Sequence, residues 1–229
     1  MELSTDLAPI AGKPWMAFDI ETVPMPGCAE YLTDPIEAPA NYKDPVKIAA
    51  YIAAKRATQI AEAGLDLDLC EVAAIAGELI DSSWCRTREQ WSEAKMLEAF
   101  WWHTRVLHSV GGDLVGFNCL GFDLPVLQRR SLYLGVPVPP LSVDKYRHDG
   151  IIDLQQVLTY GGKTTWRSLA FYCKRFGIPY DDSVTGEDIT ELVAGQDWAA
   201  VEKRCRGDAA STAALAARCG LIHMPVAAL

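Results

Sequence analysis

Asp19 and Glu21 are the first residues whose types and spacing could do chemistry. They stand two positions apart in the segment AFDIETVP, and the alternation of side chains along a strand puts both carboxylates on one face. The spacing alone is a weak signal, because 30 acidic residues in 229 positions produce such pairs by chance. Asp66 and Asp68 repeat it among leucines that take the other face, where the acids are predicted to be solvated. For Asp19 and Glu21 the alternative is likewise a half-exposed edge strand.

Two further acids stand in settings that favour a buried or specialised carboxylate. Asp123 follows a strand and a glycine-containing turn in LVGFNCLGFDLPVL and opens a helix, where a helix cap is the alternative role. Asp208, in RCRGDAAST, shares with Val201 and Cys205 a helical face that should pack inward. A buried acid needs a basic partner or a cation. Arg204, one turn earlier, is a candidate partner.

These four carboxylates predict a site for hard divalent cations. Oxygen-only ligands suit Mg²⁺ or Mn²⁺ rather than zinc. Two ions roughly 4 Å apart would offset the repulsion among the acids, activate a water and stabilise the leaving oxygen of a phosphodiester. The seven cysteines stand singly, with no C-x-x-C pair, so they are predicted to be reduced and mostly buried rather than zinc ligands.

The elements that must position these acids follow from hydrophobic periodicity. Apolar alternation and runs predict strands over 15–22, 72–80, 83–88, 113–118 and 151–153. Helical spacing and capping residues predict helices over 45–63, 90–109, about 124–135, 165–176, 188–193 and 197–218. We therefore expect an α/β fold, a mixed sheet flanked by helices, in one domain over 1–229 with a loop and helical insertion at about 23–64.

The segments AFDIETVP, LVGFNCLGFDLPVL and RCRGDAAST, in that order, resemble the three motifs of the DEDD 3′-5′ exonucleases. The chain around them resembles the predicted exonucleases related to the proofreading domain of family B DNA polymerases. The resemblance implies that Asp19, Glu21, Asp123 and Asp208 bind two Mg²⁺ or Mn²⁺ ions. It also implies an RNase H-like fold, a mixed five-stranded sheet with helices on both faces. The implied activity is 3′-5′ hydrolysis of single-stranded DNA or frayed 3′ ends.

Substrate contacts are expected beside these ligands. Asn118 matches the asparagine that accompanies the second motif, and the resemblance lets Phe122 stack on a terminal base. Thr22, next to the acidic pair, is a further predicted substrate contact, as is Arg204.

The third motif departs from the family at one position. The family places a tyrosine four residues, or a histidine five residues, before the aspartate, and here those positions hold Arg204 and Lys203. Arginine cannot act as a base, and its charge beside Asp208 competes with a metal. In one hypothesis the metal alone activates the water and Arg204 swings to a substrate phosphate. In the other, Arg204 pairs with Asp208, one metal is lost and the domain only binds nucleic acid.

The charge distribution bears on the partner. A net charge of -9 argues, on its face, against nucleic acid. Residues 125–180, however, include eight basic residues and only three acidic ones, interleaved with aromatic residues. This pattern is typical of a surface that binds single-stranded nucleic acid. The alternative is that the aromatic residues are core and the basic ones line solvated helices. The residues concerned are Arg129, Arg130, Lys145, Arg147, Lys163, Arg167, Lys174 and Arg175, with Tyr133, Tyr146, Tyr160, Trp166 and Tyr172.

Three functions remain open from the sequence. The first is the exonuclease; the second is a catalytically weak nucleic-acid-binding or polymerase-associated module; the third is an RNA-trimming exonuclease with the same chemistry. The expected partners are single-stranded nucleic acid, DNA favoured, and a DNA polymerase or another replication protein. No apolar run approaches the roughly 20 residues of a membrane helix, and the amino terminus lacks a signal-peptide pattern. We therefore expect no membrane contact and a cytoplasmic location.

Overall fold

A mixed five-stranded sheet organises the chain. The structure is a computed structural model, and it describes residues 12–144 and 147–224. The strands are β1 (Trp15–Pro24), β2 (Cys70–Leu79), β3 (Ser83–Thr87), β4 (Asp113–Gly116) and β5 (Ile151–Asp153). Their order is β3-β2-β1-β4-β5, with β1 antiparallel to β2 and parallel to β4. The expected sheet is confirmed, and since β1 is its central strand, the edge-strand alternative is wrong.

Seven α-helices connect and cover the described strands. They are α1 (Pro45–Glu62), α2 (Glu93–Ser109), α3 (Asp123–Leu134), α4 (Leu154–Leu158), α5 (Leu169–Phe176), α6 (Ile189–Ala194) and α7 (Trp198–Arg218). Helices α1 and α7 begin where the capping signals indicated, and the side chains of Asp44 and Asp197 each accept a hydrogen bond from a backbone N–H of the first turn. The helix expected from 90 begins at Glu93, because Ser92 caps it. The helix expected from 165 begins only at Leu169, because Ser168 caps it.

The core fills both faces of the sheet. On one face Met16, Phe18 and Ile20 of β1 pack against α2 and α3. On the other face Ala74 and Ala76 of β2 pack against the α7 residues Val201, Cys205 and Ala209. Because side chains alternate, Asp19 and Glu21 share the face that meets α7. The small side chains of β2 let that helix approach the sheet closely.

The segment between β1 and β2 lies mostly on the surface. No residue of α1 is buried, and its stripe of Ile48, Ile52 and Ile60 is only partly covered. A short 3-10 turn, Ala63–Leu65, leads from α1 towards β2. The Thr22 hydroxyl donates to the Gly64 carbonyl over 2.6 Å and so ties this segment to β1. The carboxyl end of α1 therefore lies beside the acidic strand.

Two other expectations concern the chain as a whole. All seven cysteines carry free thiols, and five of them are buried. In the part of the chain that the structure describes, no helix is both long and apolar enough to pass through a bilayer. Asp66 and Asp68 are exposed, as predicted, and Asp68 pairs with Arg129.

Candidate active site

Strand β1 fixes the first two carboxylates. Asp19 lies opposite Ala76 and Glu21 opposite Ala74, and the register shifts directly after Glu21, where β2 has one extra residue. A bulge of this kind re-aims the side chains beside it. Glu21 is 7% exposed, whereas Asp19 is partly exposed. The two carboxylates thus stand in the space between the central strand and α7.

The β4–α3 turn positions Asp123, and Asp153 holds that turn. The Asp153 carboxylate accepts the backbone N–H groups of Asn118 (3.1 Å) and Leu120 (3.0 Å). It also caps α4 by accepting hydrogen bonds from the backbone N–H groups of Gln155 and Gln156. Asn118 adopts a left-handed conformation with φ 60°. Asp123 is buried at the first turn of α3, so one carboxylate sets the start of the helix that carries another.

Helix α7 supplies the fourth carboxylate from its inward face. Asp208 is 8% exposed, and Val201, Cys205 and Thr212 on the same face are buried. The thiol of Cys205 lies 3.4 Å from the Asp19 carbonyl oxygen, which brings α7 against β1. The predicted inward face is confirmed.

The four carboxylates act on one another electrostatically. Burial raises the pKa of Asp19 well above its ordinary range, and Glu21, Asp208 and Asp123 raise it further. Burial likewise raises the pKa of Glu21 to about 8 and that of Asp123 to about 7. The pKa of Asp208 is also raised by burial, against the opposing charge of Arg204. A second positive charge would therefore be favourable here.

Arg204 is the cation at this site. Its Nη2 lies 2.7 Å from Asp208 Oδ2, and its Nε lies 3.6 Å from Glu21 Oε1. Its Nη1 donates to the Val184 carbonyl over 2.7 Å. Nε itself is buried without a hydrogen-bond partner. The side chain is only 15% exposed, so the guanidinium is held between two of the predicted metal ligands.

Tyr180 is a residue of this site that the sequence did not indicate. A hydrogen bond from Tyr180 lowers the pKa of Asp208, and the guanidinium carbon of Arg204 lies 5.8 Å from the centre of the Tyr180 ring. Tyr180 belongs to the loop after α5, far from the third motif in sequence. No spacing rule connects it with Asp208, and only the packing of α5 on α7 reveals the contact.

The donor set fits hard divalent cations, but in the absence of metal the Arg204 guanidinium lies between two of the donors. The four side chains are all carboxylates, the oxygen ligands that such cations prefer, and burial raises the pKa of each. Nevertheless, within residues 12–144 and 147–224 no three His, Cys, Asp or Glu side chains are arranged so that they could hold a metal ion. Two of the four carboxylates, Asp208 and Glu21, instead lie against Arg204.

Two cavities flank the carboxylates. One of about 780 Å³ is lined by Glu21, Thr22 and Phe122 together with Gly64 and Thr185. The other, of about 590 Å³, is lined by residues of α7 and the loop after α5: Tyr180, Ser183, Val184, Lys203, Arg204 and Asp208. Of the predicted substrate residues, Thr22 and Phe122 thus share one cavity and Arg204 lines the other. Asn118 lines neither.

The basic and aromatic stretch separates into core and surface. Arg130 is buried in a two-pronged ion pair with Glu93, at 2.8 and 2.7 Å, so it does not face a substrate. Tyr172 is half-buried against Phe117. Residues 160–168 are all exposed, with Tyr160 73% and Trp166 51% exposed. Lys145 and Tyr146 lie outside the described residues.

The sheet and its helices define the fold class. The sheet order and the helices on both faces are those of an RNase H-like fold. The chain is similar to the structure of the family B DNA polymerase from the hyperthermophilic archaeon Pyrobaculum calidifontis, with a TM-score of 0.60 at 19% identity. The match covers 90% of this chain but only 24% of the polymerase. It establishes the fold, which is similar to that of a family B polymerase exonuclease domain.

The family follows from the sequence match. Residues 68–227 match the family described as predicted 3′-5′ exonucleases related to the exonuclease domain of PolB, and the chain belongs to that family. Asp123 and Asp208 lie inside the matched range, whereas Asp19 and Glu21 lie before it. No curated protein matches the chain.

Proposed function

We propose that this protein is a divalent-metal-dependent 3′-5′ exonuclease that hydrolyses single-stranded DNA or frayed 3′ ends. The observation that carries the proposal is the convergence of Asp19, Glu21, Asp123 and Asp208. Burial raises the pKa of all four, and neighbouring carboxylates raise those of Asp19, Glu21 and Asp123 further. Such a group is costly unless cations offset it. Membership of an exonuclease family supports the same activity.

Each side chain then has a distinct role. The four carboxylates hold two Mg²⁺ or Mn²⁺ ions, which when bound supply activation of water and stabilisation of the leaving oxygen. The cavity of about 780 Å³ receives the terminal nucleotide, a volume within the usual range for ligand sites. There Phe122 stacks on the base and Thr22 borders the sugar. Asn118 acts through the turn that carries Asp123.

The single-stranded nucleic acid runs from this site across the surface formed by the residues that follow β5 in the chain. Residues 154–180 contain four basic side chains and no acidic one, and all four are exposed: Lys163, Arg167, Lys174 and Arg175. This surface begins at the carboxyl end of β5, which is parallel to β4, so it adjoins the edge of the sheet from which Asp123 comes. Basic groups that follow the backbone and aromatic rings that stack on bases are typical of single-strand binding.

Shortening of a labelled strand tests the activity. A single-stranded oligonucleotide labelled at its 5′ end should yield a ladder of products shortened from the 3′ end in Mn²⁺ or Mg²⁺, and Asp19→Ala should abolish it. Asp66→Ala is the matched control, because Asp66 belongs to an identically spaced but exposed acidic pair. Intact substrate in both metals with the parent chain would refute the enzyme.

Two alternatives are distinguished by the same assay. The ion pair between Arg204 and Asp208 favours a weak or inactive nucleic-acid-binding module, which would retain the strand without shortening it. A parallel RNA strand separates a DNA exonuclease from an RNA-trimming one. A DNA polymerase or another replication protein remains the proposed protein partner, with the exposed helix α1 as the surface for that contact.

A further inference from the structure

Arg204 stands where a carboxylate centre would otherwise need an added cation. Its guanidinium contacts Asp208 at 2.7 Å and approaches Glu21 at 3.6 Å, so it bridges ligands from α7 and from β1. The contact to the Val184 carbonyl fixes the third side of the fork. A delocalised, permanently charged guanidinium is suited to this kind of bridge.

The bridge is incomplete, however. Nε is buried and has no hydrogen-bond partner, because 3.6 Å from Glu21 Oε1 is too long for a hydrogen bond. A buried donor without a partner is unfavourable. The guanidinium therefore offsets the negative charge of the site, but its Nε donor makes no hydrogen bond. A ligand that offered this group more hydrogen bonds could displace it from the carboxylates.

The cavity of about 590 Å³ beside Arg204 offers such a partner a place. The Tyr180 ring forms one wall at 5.8 Å from the guanidinium carbon, and it can retain the cation after it leaves Asp208. Lys203 and the hydroxyls of Ser183 and Ser211 line the same space. Asp208 and Asp181, which pairs with Lys203, also line it. Arg204 and the two hydroxyls are therefore the groups that would meet a phosphate, which arginine binds with two charge-assisted hydrogen bonds.

We propose that Arg204 is an exchangeable internal counter-ion: in the free chain it occupies the cation position between Glu21 and Asp208, and a substrate phosphate draws it into the adjacent cavity, freeing that position for a divalent ion. This inference rests on the proposed function and specifies its regulation. Because linkage is reciprocal, nucleic acid must then raise the affinity for metal, and metal the affinity for nucleic acid, by the same factor. The chain would then bind both metal ions only when single-stranded nucleic acid is also bound.

Calorimetric titration of the metal-free full chain with Mn²⁺ tests the first half. Arg204→Met should bind Mn²⁺ about tenfold or more tightly than the parent, since an arginine beside a carboxylate shifts its affinity for a competing cation by that order. Arg206→Met is the matched control: it removes one charge from the same helix, where Arg206 pairs with Glu202 and lines neither cavity. Its Mn²⁺ affinity should stay near that of the parent.

Thermal unfolding gives a second readout that does not depend on activity. Without metal, Arg204→Met should unfold at a lower temperature than the parent by about 5 °C, because the carboxylates lose their counter-ion. Saturating Mn²⁺ should restore most of this loss. If Arg204→Met does not fold, Arg204→Lys keeps a charge that cannot bridge both carboxylates, and it should also bind Mn²⁺ more tightly than the parent.

Repeating the titration with a saturating single strand that carries a hydrolysis-resistant 3′ phosphorothioate linkage tests the second half. The strand should raise the Mn²⁺ affinity of the parent and leave that of Arg204→Met unchanged. Equal Mn²⁺ affinities of parent and Arg204→Met, with Asp19→Ala binding none, would overturn the counter-ion and leave the metal-dependent nuclease intact. Absence of Mn²⁺ binding in every variant would overturn both.

Discussion

Glu21 links the charge of the site to the pH response of the metal-free chain. Burial raises its pKa from an ordinary 4.5 to about 8, so between these values the folded chain holds a proton that the unfolded chain has released. The state that binds more protons gains stability as pH falls. Glu21 therefore reduces the stability of the metal-free chain progressively as pH rises from about 5 to 8, and Asp123, with its pKa raised to about 7, acts in the same direction.

Glu21→Gln should remove this loss of stability at higher pH. In metal-free buffer the variant should match the parent near pH 5 and exceed its free energy of unfolding at pH 8 by on the order of 2 kcal/mol. Denaturant unfolding at a series of pH values measures the difference. Glu98→Gln makes the same substitution at an exposed position of α2, away from the carboxylates, and is the control. A difference between Glu21→Gln and the parent that is the same at every pH would contradict the raised pKa.

Some residues of the site could be predicted from the sequence and others could not. The acids at 19, 21, 123 and 208 were predictable, because strand and helix periodicity dictates which face each occupies. Tyr180 was not, since its contact with Asp208 depends on how a loop returns after α5. Nor could sequence separate Arg129, which is partly exposed, from its neighbour Arg130, which is buried against Glu93.

At the scale of elements, the buried carboxylate of Asp153 links a strand, a helix and a turn. Asp153 ends β5, caps α4 and holds the β4–α3 turn through the N–H groups of Asn118 and Leu120. Capping is local and can be anticipated from sequence, whereas the link from β5 to the turn exists only once β4 and β5 are paired. Element types and most helix starts were predictable for the same reason: apolar periodicity and caps are local signals.

Asp153→Ala should therefore cost more than the loss of a cap. It leaves the buried N–H group of Leu120 and the partly buried one of Asn118 without partners in addition to the uncapped helix, and we expect a loss of about 3–5 kcal/mol in the free energy of unfolding. Asp197→Ala, which removes only the exposed cap of α7, should cost about 1 kcal/mol. Guanidinium titration of both variants compares them. Equal losses would show that the β4–α3 turn does not depend on Asp153.

At the scale of the whole molecule, the distribution of charge matters more than its sum. The chain carries a net charge of -9, yet residues 154–180 carry none of its acids. Four exposed cations and the exposed rings of Tyr160 and Trp166 lie on this part of the surface. On the inner side of α5, Cys173 shares a buried cluster with Ala213 and Ala216 of α7, the helix that carries Asp208, so this surface adjoins the helix of the fourth carboxylate. An acidic chain can thus present a local path for a polyanion.

Trp166→Ala measures whether a strand follows that path. Stacking of a base on an aromatic ring is worth about 1–3 kcal/mol, so the affinity for a single strand, measured by fluorescence anisotropy without divalent metal, should fall by that amount. Lys163→Gln should instead reduce the slope of affinity against salt concentration by about 0.7, the share of one backbone charge on a single strand. Trp102→Ala is the control, because Trp102 is 55% exposed but belongs to α2, on the opposite face of the sheet from α5 and α7. Equal effects of the two tryptophan variants would remove the reason to route the strand over residues 154–180, whereas a loss confined to Trp166 would make this surface the way into the carboxylate site.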